Sequence, residues 1–206
     1  MPGPHPLQIL KSPEPTGAEP RSDDYLMALA AEDRSAAFGE LVSRYEGKVR
    51  AFCSMLVHDE ALGRDLAQEV FLKLWGSRSR FRAQGKFRPM LFTIARNHCR
   101  TSLRKKRLRS LLGLEDSVDS ALHAHAAHAG ANAQEQLLEE ERGLLVRRAL
   151  EALPEKFRLP VMLRFCDEMP YEEIAAIIGR TESATRSRVH YGLKALQLLL
   201  PAEVLP

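Results

Sequence analysis

YEEIAAIIGRTESATRSRVHYGLKAL, from Tyr171 to Leu196, is the stretch whose reading decides the fold. Ile174, Ala175, Ile177 and Ile178 recur at helical spacing and form one apolar face. Gly179 follows, a residue that ends helices because it accepts positive φ without steric cost. The polar turn Arg180, Thr181, Glu182 and Ser183 offers Thr181 or Ser183 as the N-cap of a second helix. Along that second helix Thr185, Val189, Leu193 and Leu196 share the inner side, while Ser183, Ser187 and Tyr191 point away, flanked by Arg186 and Arg188. A short helix, a glycine turn and a second helix with a Ser/Arg/Tyr outer face is the layout of a helix-turn-helix reader of duplex DNA. A helical hairpin that merely caps a small bundle has the same pattern, so the remaining residues must decide.

The net charge of +3 conceals a strong segregation. Between Arg78 and Arg109 there are 12 Lys/Arg and no Asp/Glu, which leaves 18 basic against 27 acidic residues elsewhere. A cationic segment on an anionic chain points to a polyanionic partner at a defined place, nucleic acid first, with an acidic protein or a membrane surface behind it. The 206 residues suffice for one or two domains. No apolar run reaches membrane-spanning length, and the N-terminus lacks a basic start followed by an apolar block, so a cytoplasmic chain without membrane insertion is expected. Cys53, Cys99 and Cys166 are scattered, without CxxC or CxxH spacing, and read as buried reduced thiols.

Residues 1–21 hold six of the 12 prolines and little to bury, the composition of a disordered leader. Helical pattern starts at Ser22 and Asp23, both capping candidates, with Tyr25, Leu26, Leu29 and Ala30 as the expected inner face. A second helix from about Ser35 places Phe38, Leu41, Val42, Tyr45, Val49, Phe52, Cys53 and Leu56 inward and leaves Arg44, Glu46, Lys48 and Arg50 in water. In a third, from Ala61 to about Gly76, Leu66, Ala67, Val70, Phe71 and Leu74 face inward while Asp65, Gln68, Glu69 and Leu72 are displayed together. An outward leucine among carboxylates fits either a docking face or an ordinary solvated one.

The stretch RSRFRAQGKFRP, Arg78 to Pro89, reads as a basic loop in which Phe81 and Phe87 alternate with Arg78, Arg80, Arg82, Lys86 and Arg88. Cations for phosphates and flat rings for unstacked bases suit single-stranded nucleic acid, although either ring can instead plug the loop into a core. The helix expected after Pro89 puts Leu91, Ile94, Ala95, His98 and Ser102 on one side and Thr93, Arg96, Asn97, Arg100 and Arg104 on the other, and Lys105, Lys106, Arg107 and Arg109 extend its charge.

From Ser110 to Glu141 there are seven acidic residues and no Lys/Arg, with the run HAHAAH, so residues 110–138 read as an acidic flexible linker. His123, His125 and His128 lack the fixed geometry a metal site needs, and no metal or cofactor is expected. Helical pattern resumes near Gln136 and ends at Pro154, and a further helix from about Glu155 to Phe165 must accommodate Pro160 near its first turn or by a bend. No strand-like alternation of useful length occurs. The expected fold is all-α: two small helical domains, residues 22–109 and 139–200, joined by the linker, the second a helix-turn-helix, with residues 201–206 as a tail.

The two halves together resemble the bacterial sigma factors of the extracytoplasmic-function (ECF) group. The stretches that carry the resemblance are AFGELVSRYEGKVRAFC, DLAQEVFLKLW, FRPMLFTIARNHCR with its basic tail, ALEALPEKFRLPVMLRF and the helix-turn-helix motif, in the family's order. By that resemblance the protein binds RNA polymerase core enzyme, directs promoter recognition and melting, and is held by an anti-sigma factor. The resemblance implies that Asp65, Gln68, Glu69 and Leu72 dock on the beta-prime clamp helices of a core that also offers its beta subunit. It implies that Arg80, Phe81, Arg82, Lys86, Phe87 and Arg88 capture an extruded base of the minus-ten element, with Arg96, Asn97, Arg100 and Arg104 on the helix that follows. Ser183, Arg186, Ser187, Arg188, His190 and Tyr191 lie where the family reads the minus-thirty-five element. The chain departs from the family at Met90, where tryptophan is common, at Thr101, where aspartate is frequent, and at Arg64, Ala184, Thr185 and Tyr191. Two other classes compete: a duplex-binding regulator that dimerises or senses a ligand through its first half, and a nucleic-acid enzyme. The first leaves DLAQEVF beside a basic aromatic loop without a purpose. The second lacks a carboxylate or Cys/His constellation of catalytic spacing.

Overall fold

The computed structural model describes residues 22–113 and 133–200, and every regular element among them is helical. The sequence-based leader, most of the acidic linker with its histidines, and the tail lie outside the described residues. Two compact units divide the helices, α1–α4 and α5–α8.

The first unit is built on α2, Ser35–Val57, whose buried side carries Ala37, Leu41, Tyr45, Val49, Phe52, Cys53, Leu56 and Val57. Spacings of three and four put these residues on one broad stripe, and α3 (Glu60–Gly76) and α4 (Phe87–Leu111) both pack against it. Phe52 and Phe92 meet edge to face, 5.0 Å between centroids, at the centre of that contact. The link from α2 to α3 is only His58 and Asp59: His58 takes the left-handed conformation, and the Asp59 carboxylate then accepts the Leu62 N–H at 3.0 Å as N-cap. So tight a hairpin brings the two backbones together, and Gly63 is the residue that permits it, since a Cβ there would lie 2.4 Å from Ser54 Cα.

Helix α1, Asp23–Ala31, is capped by Ser22, whose hydroxyl accepts the Tyr25 N–H at 3.2 Å. Its buried residues are Leu26, Met27 and Ala30, so the expected inner face is rotated: Tyr25 is 52% exposed and Met27 takes its place. The rotation follows from polar anchoring. Asp23 pairs with Arg44 at 2.9 Å and accepts the Tyr45 hydroxyl, which turns Tyr25 outward and draws Arg44, expected in water, into a half-buried ion pair. Burial and the Asp23 carboxylate together push the Tyr45 phenol above its ordinary value.

In the second unit α5 spans Ala133–Ala152, three residues earlier than the helical pattern indicates, and α6 (Glu155–Phe165) runs continuously through the buried Pro160. Helix α6 packs chiefly on α8, Glu182–Leu199, and α7, Tyr171–Ile178, closes the cluster. Gly192 lets α8 approach α6, because a Cβ there would lie 2.6 Å from Val161 Cγ2 and 3.3 Å from the Phe157 carbonyl oxygen. Arg158 is almost fully buried, donates to the Glu151 carbonyl at 3.1 Å, and has its guanidinium pKa lowered by desolvation.

Gly63→Ala should lower the stability of the first unit by about 2–3 kcal/mol, the upper end of overpacking costs, because backbone rather than a movable side chain blocks the methyl group. Denaturant unfolding of the full chain checks this, with Gly39→Ala, where nothing lies within 4 Å of the added carbon, as the control that should gain up to about 1 kcal/mol from helix propensity alone.

Candidate nucleic-acid and partner surfaces

Three surfaces remain once the cores are formed. The first is the outer side of α3. Leu66, Ala67, Val70, Phe71 and Leu74 are consumed by the core, so Asp65, Gln68, Glu69 and Leu72 stand together in solvent, Leu72 with 70% of its surface exposed. Glu69 is not loose. Its carboxylate accepts from His98 Nε2 on α4 at 2.6 Å, and His98 Nδ1 in turn accepts from Lys73. Sequence spacing placed His98 on the inner side of its helix without a partner; the structure gives it this bridging role.

The second surface is the basic segment. A single 3-10 turn, Arg78–Arg80, opens it, and α4 begins at Phe87 rather than after Pro89. Pro89 fits because the first-turn N–H groups of a helix have no intrahelical acceptor. Arg80, Arg82 and Lys86 are exposed, as are Asn97, Arg100, Arg104, Lys105, Lys106, Arg107 and Arg109 along α4; Phe81, Arg88 and Arg96 are half-buried. Phe87 departs from expectation. It is 1% exposed, packed between Tyr45 at 5.5 Å and Phe81 at 6.4 Å, and belongs to the core instead of offering a face to a base. Phe81, stacked edge-on against it, is the aromatic that reaches the surface. Arg78 is also occupied, lying 4.0 Å over the Trp75 ring and pairing with Asp33.

The third surface is the helix pair first read from the sequence. Gly179 has φ 68, and the Arg180 N–H returns to the Ala175 carbonyl at 3.0 Å, which closes α7. Of the two N-cap candidates Thr181 serves, accepting the Ala184 N–H at 3.3 Å. Thr185, Val189, Gly192 and Leu196 are buried, and the Thr185 hydroxyl is satisfied by the Thr181 carbonyl at 2.9 Å. Ser183, Arg186, Ser187, His190 and Tyr191 are exposed on the opposite side, and Arg188 is half-buried at its margin. Arg186 lies against Glu182 at 2.6 Å and over the Tyr171 ring, 4.5 Å from its guanidinium, contacts that bias its rotamer before any ligand arrives.

The sigma-70 region 2 family matches residues 41–109, and the sigma-70 region 4 family matches residues 143–196. The ECF RNA polymerase sigma-E factor of Escherichia coli K12 is 30% identical over 181 residues, which cover 87% of this chain and 94% of that protein. This chain belongs to the ECF sigma factors. A probable RNA polymerase sigma factor of Xanthomonas campestris, RfaY, is also 30% identical, over 160 residues that span 78% of this chain and 39% of the relative. Among solved structures, the sigma factor RpoE in complex with the anti-sigma factor NepR from Bartonella quintana is similar, with a TM-score of 0.63 and 25% identity over 79% of this sigma factor and 95% of that chain. CnrH in complex with the cytosolic domain of CnrY shares the fold, with a TM-score of 0.60 over 86% of this chain and 96% of that one, at 24% identity. The chain thus acts with RNA polymerase at promoter DNA in transcription initiation. Among the described residues no helix is long and apolar enough to cross a membrane.

The partners of the functional residues were the part that helical spacing did not reveal. Asp24, Asp33 and Trp75 act on the basic segment, His98 acts on Glu69, and Glu182 and Tyr171 act on Arg186. One signal was available: a cationic run without acids must find its counter-charges elsewhere in the chain.

Binding of the full chain to single-stranded DNA should weaken steeply with salt. Arg104→Gln with Lys105→Gln should reduce the slope of log K against log salt concentration by about 1.4, two phosphates at roughly 0.7 each. Fluorescence titration at four salt concentrations checks this.

Proposed function

We propose that this sigma factor divides promoter recognition between its two units, α1–α4 at the melted minus-ten element and α5–α8 at the paired minus-thirty-five element. The single observation that carries the reading is the coexistence, on the solvent side of two small cores, of an acidic strip with an exposed leucine, a basic aromatic loop and a Ser/Arg/Tyr helix face. Asp65, Gln68, Glu69 and Leu72 dock on the beta-prime clamp helices: Leu72 supplies apolar area and the carboxylates supply orientation. Arg80, Arg82, Lys86 and Arg88 hold the phosphates of the displaced strand and Phe81 meets its bases, while Arg96, Asn97, Arg100 and Arg104 carry the adjoining backbone. Ser183, Arg186, Ser187, His190 and Tyr191 enter the major groove, with Arg188 at the groove edge on phosphate.

The protein performs no covalent chemistry in this reading. Binding free energy from paired and unpaired DNA is applied to strand separation, and polymerase catalyses synthesis. The similar RpoE is held by an anti-sigma factor, and control by an anti-sigma factor in the cytoplasm is the matching expectation here.

Run-off transcription with purified core enzyme tests the reading, since only a sigma factor confers promoter-dependent initiation. Asp65→Lys with Glu69→Lys should weaken core binding at least tenfold in a gel-filtration or fluorescence assay while upstream duplex binding through α5–α8 holds. Arg186→Ala with Arg188→Ala should remove the footprint over the upstream element and leave core binding as it was. An unchanged footprint takes these two residues out of the site.

A further inference from the structure

The loop between α3 and α4 has few means of its own to hold a shape. Its residues from Ser79 to Lys86 include no buried side chain, and Gly85 adopts φ 67 with open space around its Cα. Lys86 stands at the N-cap of α4 and supplies no side-chain cap. Helix α1 provides what is missing. One oxygen of Asp24 accepts the Phe87 N–H at 3.0 Å and the other accepts the Gly85 N–H at 2.5 Å, across more than 60 residues of sequence. Asp33, just past the end of α1, grips Arg78 at the loop's entrance. Helix α1 is itself locked to α2 by Asp23, through Arg44 and Tyr45. The segment is thus clasped at both ends by carboxylates, one from α1 and one from the turn that follows it, with Arg80, Phe81 and Arg82 exposed or half-exposed between the clasps. Helix α1 precedes the residues matched by the region 2 family, which begin at 41.

We propose that Asp24 is a positioning residue for base capture: it caps α4 from a distance, fixes the left-handed turn at Gly85, and holds the loop ready for an unpaired strand. The proposal rests on the reading of this loop as the minus-ten surface. Two charge-assisted hydrogen bonds from one carboxylate are stronger than neutral ones. They remove the entropy that the loop would otherwise lose when it binds. The same carboxylate offsets the mutual repulsion of the arginines and lysines gathered there. A rival effect of Asp24 is occlusion, in which it occupies amides that would otherwise bind DNA; that effect has the opposite sign in the single-strand affinity, where its removal would tighten capture.

The experiment uses holoenzyme assembled from core polymerase and the full chain, with a promoter recovered from random DNA by the wild-type holoenzyme. Its minus-ten segment is supplied as a single strand, and its upstream duplex is assayed separately. Asp24→Ala should reduce affinity for the single strand roughly tenfold, speed hydrogen exchange at the Gly85 and Phe87 amides, and leave upstream duplex affinity and core binding at wild-type values. Asp24→Asn, isosteric and with one acceptor oxygen for two amides, should fall between the two, and it decides the matter if the alanine variant does not fold. Unchanged or tighter capture by either folded variant overturns the proposal. If the wild-type holoenzyme recovers no promoter, the reading of the loop fails with it; if the wild type initiates and the variants capture the strand equally well, only the role of Asp24 fails.

Discussion

Burial of the broad apolar side of α2 is the constraint on which the first unit depends. Helices α3 and α4 both commit their apolar stripes to it, so their remaining faces are determined before any partner is considered. With Leu66, Val70 and Leu74 directed at α2, helical geometry leaves Asp65, Gln68, Glu69 and Leu72 no direction but outward. With Leu91, Phe92, Ala95 and Cys99 turned inward, Asn97, Arg100 and Arg104 face solvent in the same way. The second unit obeys the same logic at smaller scale: Val189, Gly192 and Leu196 settle against their neighbours, and Ser183, Ser187 and Tyr191 are displayed as a result.

Electrostatics then act on a scaffold that packing has already set. The cationic run from Arg78 to Arg109 contains no acid, yet acids from elsewhere reach it: Arg78 lies on an indole and meets Asp33, and the amides on either side of Lys86 meet Asp24. Carboxylates of α1 and of the turn after it therefore shape the basic surface without pairing with its outer residues Arg80, Arg82 and Lys86. On α8, Glu182 and the Tyr171 ring do the same for Arg186. In each case a group that would have to be ordered on binding is biased toward one arrangement in advance.

Much of this was legible in the sequence because it depends on local periodicity. Helix existence, the glycine stop at Gly179 and the outward sets on α3 and α8 follow from spacing alone. The failures share a cause, since each required knowledge of a contact far along the chain. Tyr25 and Met27 flank Leu26 with equal claim to an inner face until Asp23 finds Arg44 and Tyr45, and that pairing also draws Arg44 out of solvent. Phe81 and Phe87 look alike in a basic loop; only tertiary packing on Tyr45 separates the buried ring from the surface one. Helix α4 starts two residues before Pro89 because its first amide is capped by Asp24, which no local signal connects to Phe87.

The imidazole of His98 ties the outer carboxylate of Glu69 on α3 to the flank of α4, with Lys73 closing the other side of the ring. Two helices assigned to different macromolecules are thereby riveted through one side chain that sits outside the greasy interior. The bridge adds a polar fastening, at the rim, to the apolar packing that already joins the two helices.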